Sequence, residues 1–400
     1  MKDDRCRTTS LVWNDDLLSY DFGPGHPLAP IRTELTIRLA RDLGIFDRGQ
    51  VITEFAPASD GDLLRAHSAE LIAAVKAASA DPHAVDPARG IGTSDDPAFP
   101  GMHEASALVA GATLAAAQEV YFERAPHGLN VAGGLHHAMR DRSGGFCIYN
   151  DIAVAIAWLL EQGVERIAYL DVDVHHGDGV QEIFWDDPRV LTISIHESPR
   201  TLFPGTGWPT ETGGPNAPGT AVNIAVPAGT GDQGWLRALY GVVPEVLAAF
   251  SPEFIISQHG ADSHLEDPLA HLALTIDAQR MAAAAIHGWA HEYAGGKWVA
   301  VGGGGYSHVN VVPRTWCHLI AEAQGAPMEP GTEVPECWRA YVRDRLGEVS
   351  PLRMTDGADP WPRPLGQGFH HDDPVDAAVL ATREAVFPAW GLHPEPDLWF

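Results

Sequence analysis

Along most of this chain, short apolar runs alternate with stretches of helical period. Apolar runs at 11–13, 51–53, 129–132, 166–170, 190–195, 221–226, 254–257 and 298–301 predict strands. Apolar residues recur at helical spacing over 31–43, 62–78, 103–122, 151–161, 180–185, 235–250, 274–293 and 312–323. Gly44 stops the first of these helices, and Asp151 stands as a cap at the start of 151–161. Strands alternating with helices predict a single large α/β domain: a mostly parallel eight-stranded sheet, doubly wound, with helices on both faces. Residues 81–102 read as a long Pro/Gly/Asp-rich loop, a length usually kept for function. From Pro327 onward no regular period is visible. The expected organisation is therefore a domain over 1–326 and a Pro/Trp-rich C-terminal extension over 327–400 that packs on it.

Composition narrows the class. The 400 residues are 45% hydrophobic and 20% charged, enough for a core of ordinary size. Acidic residues outnumber basic ones 53 to 26, a formal net charge of −27, and the lysines are Lys2, Lys76 and Lys297 alone. This balance argues against direct nucleic-acid binding, which needs a basic face. It favours solubility and draws cationic substrates. No run of 18 apolar residues exists, so no membrane segment is expected, and Met1-Lys2-Asp3-Asp4-Arg5 lacks the apolar region of a signal peptide. Cys6, Cys147, Cys317 and Cys337 lie far apart, with no Cys-x-x-Cys and no disulfide framework, which points to the reducing cytoplasm. Nothing in the pattern decides between a monomer and a homo-oligomer.

Polar clusters collect at the ends of four predicted strands, where open α/β sheets bind ligands. They are Gly133-Gly134-Leu135-His136-His137, Asp171-Val172-Asp173-Val174-His175-His176-Gly177-Asp178-Gly179, Gln258-His259-Gly260-Ala261-Asp262, and Gly302-Gly303-Gly304-Gly305-Tyr306. If the strand at 166–170 continued, Asp171, Asp173 and His175 would share one face. A solvated strand end is the plain alternative. The density of titratable groups directly after an apolar strand favours a metal ion, which neutralises carboxylates and takes neutral imidazole as ligand. Asp173, His175 and Asp262 make a two-carboxylate, one-imidazole set, and catalytic zinc commonly keeps three protein ligands and one open position. His136 and His137 are available for proton transfer, and Asp171 and Asp178 remain to orient them. Tyr306, on a Gly-rich loop, can donate to an oxyanion. Together these groups describe metal-assisted hydrolysis of an amide.

At this point the sequence resembles the histone deacetylase family, closest to its bacterial acetoin-utilization-protein-like branch. The resemblance covers roughly residues 11–325. Besides the four clusters, it rests on Gly25-His26-Pro27-Leu28-Ala29-Pro30-Ile31-Arg32, Gly145-Phe146-Cys147-Ile148-Tyr149-Asn150-Asp151 and Phe203-Pro204-Gly205-Thr206-Gly207. It implies Zn2+ held by Asp173, His175 and Asp262, with Fe2+ accepted by the same donors. His137 would be the general base and acid, paired with Asp178. His136, paired with Asp171, would act electrostatically, and Tyr306 would stabilise the oxyanion. Gly145, Phe146, Phe203 and Leu269 would line a narrow acyl-lysine channel. Asp95 would hold the substrate backbone at its rim, with Asp96 directly beside it. A monovalent cation, K+ or Na+, would sit behind the zinc against Asp171, Asp173, His175, Ser194 and Ile195. Arg32 would lie below the site.

The implied substrate is acetyl-lysine in a protein. The alternative is a small N-acylated amine such as an acetylpolyamine. The net charge suits it, but the apolar Leu269 stands where polyamine-specific relatives carry an acidic gatekeeper. A di-manganese ureohydrolase would need further ligands, and Asp262-Ser263-His264 does not repeat an Asp-x-Asp. His259 reads as a satisfied buried histidine, and His370-His371-Asp372-Asp373 as a solvated charge cluster.

Overall fold

The eight apolar runs form β1 (Ser10–Val12), β2 (Gln50–Ile52), β3 (His127–Asn130), β4 (Ile167–Asp171), β5 (Val190–Glu197), β6 (Ala221–Val226), β7 (Phe254–Gln258) and β8 (Trp298–Val301). This computed structural model describes residues 9–395. The segment 1–5 and Cys6 lie outside the described residues. All strand pairings are parallel, in the order β2-β1-β3-β8-β7-β4-β5-β6. Every residue of β3, β4, β7 and β8 is buried. That is why their sequences read as near-continuous apolar runs rather than alternating ones.

The strand order matters more than the strand count. β3, β8, β7 and β4 are neighbours at the centre of the sheet. They are the four strands whose ends carry the polar clusters, so segments separated by up to 170 positions in sequence open onto one crevice.

Two expected helices differ from the pattern. The stretch 62–78 divides into helices Asp60–Leu63 and Ala69–Ala80. Ser68 caps the second by accepting from Leu71 N, while His67 bonds Met139 O and Asn150 N and so turns the chain inward. At Asp151–Glu161 the cap is Asn150, whose side chain accepts from Ala153 N; Asp151 is turned elsewhere.

The C-terminal region is also more regular than its composition indicated. It contains helices Glu336–Leu346 and Pro374–Val386. The first buries Trp338, whose indole donates to Leu35 O. The second lies along β6: Thr382 Oγ1 donates to Asn223 O, and Asp376 accepts from the buried Arg237 at 2.5 Å. An edge strand with free backbone groups is thereby covered. The two helices are separated by a long proline-rich segment, which hides their periodicity in the sequence. Asp373, from the polar cluster at 370–373, caps the Pro374–Val386 helix, while His370 and His371 are exposed.

Candidate active site

β4 ends at Asp171, so the expected strand alternation does not continue through His175. The carboxylates themselves shape the chain instead. Asp171 Oδ1 accepts from Asp173 N at 3.1 Å, and Asp173 Oδ1 accepts from His175 N at 3.0 Å. Two successive turns of this kind replace the strand ladder.

The three predicted ligands converge. His175 Nδ1 lies 3.1 Å from Asp173 Oδ1 and 3.2 Å from Asp262 Oδ2. One donor atom from each residue falls within 4.8 Å of the others. Asp173 Oδ2 also accepts from Gln258 Nε2 at 2.7 Å and Gly304 N at 2.8 Å, and Asp262 Oδ1 from Val174 N at 3.0 Å. A side chain at Gly304 would collide with Asp262, which explains a glycine at this point of the tetraglycine. Burial and the neighbouring Asp173 push the Asp262 pKa up to about 7. Burial opposes protonation of His175, but Asp173 and Asp262 outweigh it and raise its pKa to about 10. Two buried carboxylates this close disfavour each other's charge, and a divalent cation among the three donors removes the conflict. The donor set therefore fits such an ion.

The tandem histidines face this cluster. His136 Nδ1 is 2.7 Å from Asp171 Oδ2, and His137 Nδ1 is 2.6 Å from Asp178 Oδ1. Their Nε2 atoms lie 3.1 Å apart. Burial lowers the His136 pKa, but Asp171 and Asp173 more than compensate and hold it at about 9. Burial and the charge of His136 push His137 down to about 4. The segment bearing both is fastened by Asp151, which accepts from Leu135 N at 2.8 Å and Gly134 N at 3.0 Å.

A cavity of about 230 Å³ opens above the cluster, lined by Asp95, His137, Gly145, Phe146, His175, Leu202, Phe203, Leu269 and Tyr306. The Phe203 ring is 5.0 Å from the His137 ring, and the Phe146 ring 5.7 Å from that of Tyr306. Gly145 (φ 55°) leaves room for the His137 ring, which any side chain there would strike. Asp95 is exposed at the mouth, whereas Asp96 is buried, and burial with the charge of Asp95 raises the Asp96 pKa to about 8. A small pocket of about 20 Å³ continues below, between Leu28, His136, Asp173, Gly303 and Tyr306. Arg32 lies under it, donating to Gly303 O at 2.8 Å.

A sequence model of the histone deacetylase domain matches residues 26–323. The chain belongs to the histone deacetylase family. As a member, it is a deacetylase, a hydrolase of acylated substrates. This deacetylase is 42% identical over 358 residues to the acetoin utilization protein AcuC of Bacillus subtilis (strain 168), covering 89% of this chain and 92% of the relative. It is 35% identical over 334 residues to AcuC of Staphylococcus xylosus, covering 83% and 86%. The crystal structure of an HDAC homolog from Aquifex aeolicus matches with a TM-score of 0.81 and 29% identity, over 94% of this chain and 100% of that one. An HDAC homolog complexed with SAHA matches equally well.

The candidate site of this deacetylase also contains groups that sequence reasoning passed over. Gln258 bonds both Asp173 and Gly134 O, tying the ligand set to the histidine loop. Tyr169 Oη donates to Asp171 Oδ2 at 2.6 Å. Asp267 accepts from Tyr306 N at 2.8 Å and Leu269 N at 3.0 Å, joining the tyrosine loop to the channel wall. Gln258 stood in a polar cluster without a role of its own, and Tyr169 and Asp267 have no spacing to mark them. Ser194 of β5 pairs in register with Asp171 of β4, with its hydroxyl 2.8 Å from His196 Nδ1. His259 bonds Ser257 Oγ at 2.7 Å, and His176 bonds Thr206 and Gln181.

Proposed function

We propose that this deacetylase is a zinc-dependent hydrolase removing acetyl groups from the ε-amine of lysine in proteins. The carrying observation is an apolar-walled channel, formed by Phe146, Phe203 and Leu269, that reaches His175, which clusters with Asp173 and Asp262. Such walls suit the aliphatic stem of an acyl-lysine, and none of the three offers a charge to a second amine within the substrate.

When bound by Asp173, His175 and Asp262, a zinc ion polarises the acyl carbonyl and acidifies water; Fe2+ would serve in the same way. His137, unprotonated at Nε2, takes the proton of the attacking water and passes it to the leaving amine as the C–N bond breaks. Asp178 fixes its tautomer through Nδ1. His136, charged beside Asp171, stabilises the developing negative charge. Burial of the Tyr306 hydroxyl, with Asp262 and Asp173 nearby, holds its pKa well above the usual phenol value, so it remains a donor to the oxyanion. Asp95 receives the substrate backbone at the rim. Asp171, Asp173, His175, Ser194 and Ile195 would hold a K+ or Na+ behind this centre. The acidic surface and the cysteine usage support a cytoplasmic enzyme with no nucleic-acid partner, and no described helix is long and apolar enough to cross a membrane.

The second reading is a deacetylase of small acylated amines, favoured by the net charge of −27. Comparing kcat/KM on an acetyl-lysine peptide and on acetylputrescine, each with and without chelator, decides. Preference for the peptide, lost on chelation, is expected. Preference for acetylputrescine, or activity indifferent to chelation, would sink the first reading.

A further inference from the structure

A second cluster of metal-ligand type lies at the other end of the sheet. His127 opens β3, and His287 and His291 lie four residues apart on the Ile276–Tyr293 helix, so they share one helix face. One ring nitrogen from each falls within 4.8 Å of the others. The His127 ring is 4.8 Å from that of His287 and 5.2 Å from that of His291. His127 pairs in register with Trp298, the first residue of β8. The cluster therefore sits at the amino ends of strands whose carboxyl ends carry the active site.

Three observations separate this cluster from ordinary packing. First, His127 is 5% exposed, and its Nε2 has no hydrogen-bond partner among the described residues. Its Nδ1 lies 2.6 Å from Ala323 O, which can only accept. Nδ1 therefore carries the proton, and Nε2 is a buried lone pair without a donor. Orphaned buried polar atoms are rare and call for an ion, a water or a functional role. Second, His287 Nδ1 lies 2.8 Å from Glu322 Oε1, which leaves its Nε2 facing the cluster, 3.1 Å from His291 Nε2. Metal-bound histidines characteristically donate their other nitrogen to a carbonyl or carboxylate in this way. Third, the site is open on one side: His291 is exposed and His287 half-buried. An ion can enter, and a water can complete its coordination.

We propose that His127, His287 and His291 form a second, three-histidine site for a divalent transition-metal ion, Zn2+ or Cu2+, separate from the catalytic one. Neutral imidazoles suit these ions and disfavour Mg2+ and Ca2+. The bound ion ties the end of the Ile276–Tyr293 helix to the start of β3, and so stabilises the amino end of the central strands, remote from catalysis.

Zinc stoichiometry tests this, using protein without a polyhistidine tag, stripped and reloaded with zinc chloride. Wild type, His291→Ala, Glu322→Gln and Asp262→Asn are compared by elemental analysis and by competition with a chromophoric chelator. His291→Ala removes an exposed side chain and is expected to fold. It should hold one zinc per chain fewer than wild type and hydrolyse substrate at the wild-type rate. Glu322→Gln should weaken the same equivalent by roughly 10–100-fold. Asp262→Asn should retain it. Equal stoichiometry in wild type and His291→Ala, or a single wild-type equivalent lost in Asp262→Asn, would overturn the proposal.

Discussion

His136 Nε2 lies 3.1 Å from His137 Nε2, and the two rings are driven in opposite directions, to about 9 and about 4. Each has its own carboxylate, but Asp171 and Asp173 both act on His136, while His137 feels the positive charge this creates. At neutral pH the pair thus holds one cation and one free base. Replacing His136 by Gln removes the cation. The His137 pKa should then rise, and the acidic limb of the kcat/KM profile should move to higher pH by roughly one to three units. A pH–rate profile of the variant checks this, and an unmoved acidic limb would count against the coupling.

Tyr306 is held by Asp267 at its backbone and by Phe146 across its ring, so Phe should occupy the same place. Tyr306→Phe is expected to lower kcat by about 10²–10³-fold with little change in KM or melting temperature. Steady-state kinetics and a thermal melt on the same sample are the measurement. A large KM effect would place the hydroxyl in ground-state binding instead.

Metal binding must displace protons from Asp262, near 7, and from His175, near 10. Both folded-state values lie above the ordinary ones, so both groups hold extra protons below those values. Apparent zinc affinity at the catalytic site should therefore rise steadily between pH 6 and pH 9. Chelator-competition titrations on His291→Ala, read across that range, test the slope. Chelation should also abolish activity and lower the melting temperature, with both restored by added zinc.

Asp356, beyond the family-matched segment, accepts from His264 Nε2 at 2.8 Å, Ile276 N at 2.8 Å and the buried Arg314 at 2.7 Å. Burial opposes its ionisation, but these three donors outweigh it and hold its pKa well below the usual carboxylate value. A depressed carboxylate contributes its full stabilisation above its unfolded value near 4, and that contribution fades as pH falls from there toward the lower folded-state value. Asp356→Ala should destabilise by about 1–3 kcal/mol at pH 7, because it takes the carboxylate partner from the buried Arg314. Denaturant melts at pH 7 and pH 3 should show the wild-type advantage shrinking in acid. His264 lies two residues from Asp262, so a modest loss of zinc affinity should accompany it.

Local chemistry made much of this molecule legible. Eight strands and the helices 151–161 and 312–323 followed from periodicity, because buried parallel strands and amphipathic helices carry strong patterns. The single helix expected over 62–78 failed because His67 has long-range partners that no local pattern shows. Asp151 was read as a cap, but its carboxylate holds the backbone of the histidine loop.

The sequence by itself determined the inventory: which strands exist, which polar groups stand at their ends, and that two carboxylates and an imidazole suit a divalent ion. Tertiary structure alone decided adjacency. Strand order brings β3, β8, β7 and β4 side by side, and only then do His136, Asp171, Asp262 and Tyr306 meet. The same holds for His127, which waited 160 residues for His287. Parallel strands are joined by long crossovers, so the contacts that make a site are set by sheet order, which local sequence does not encode.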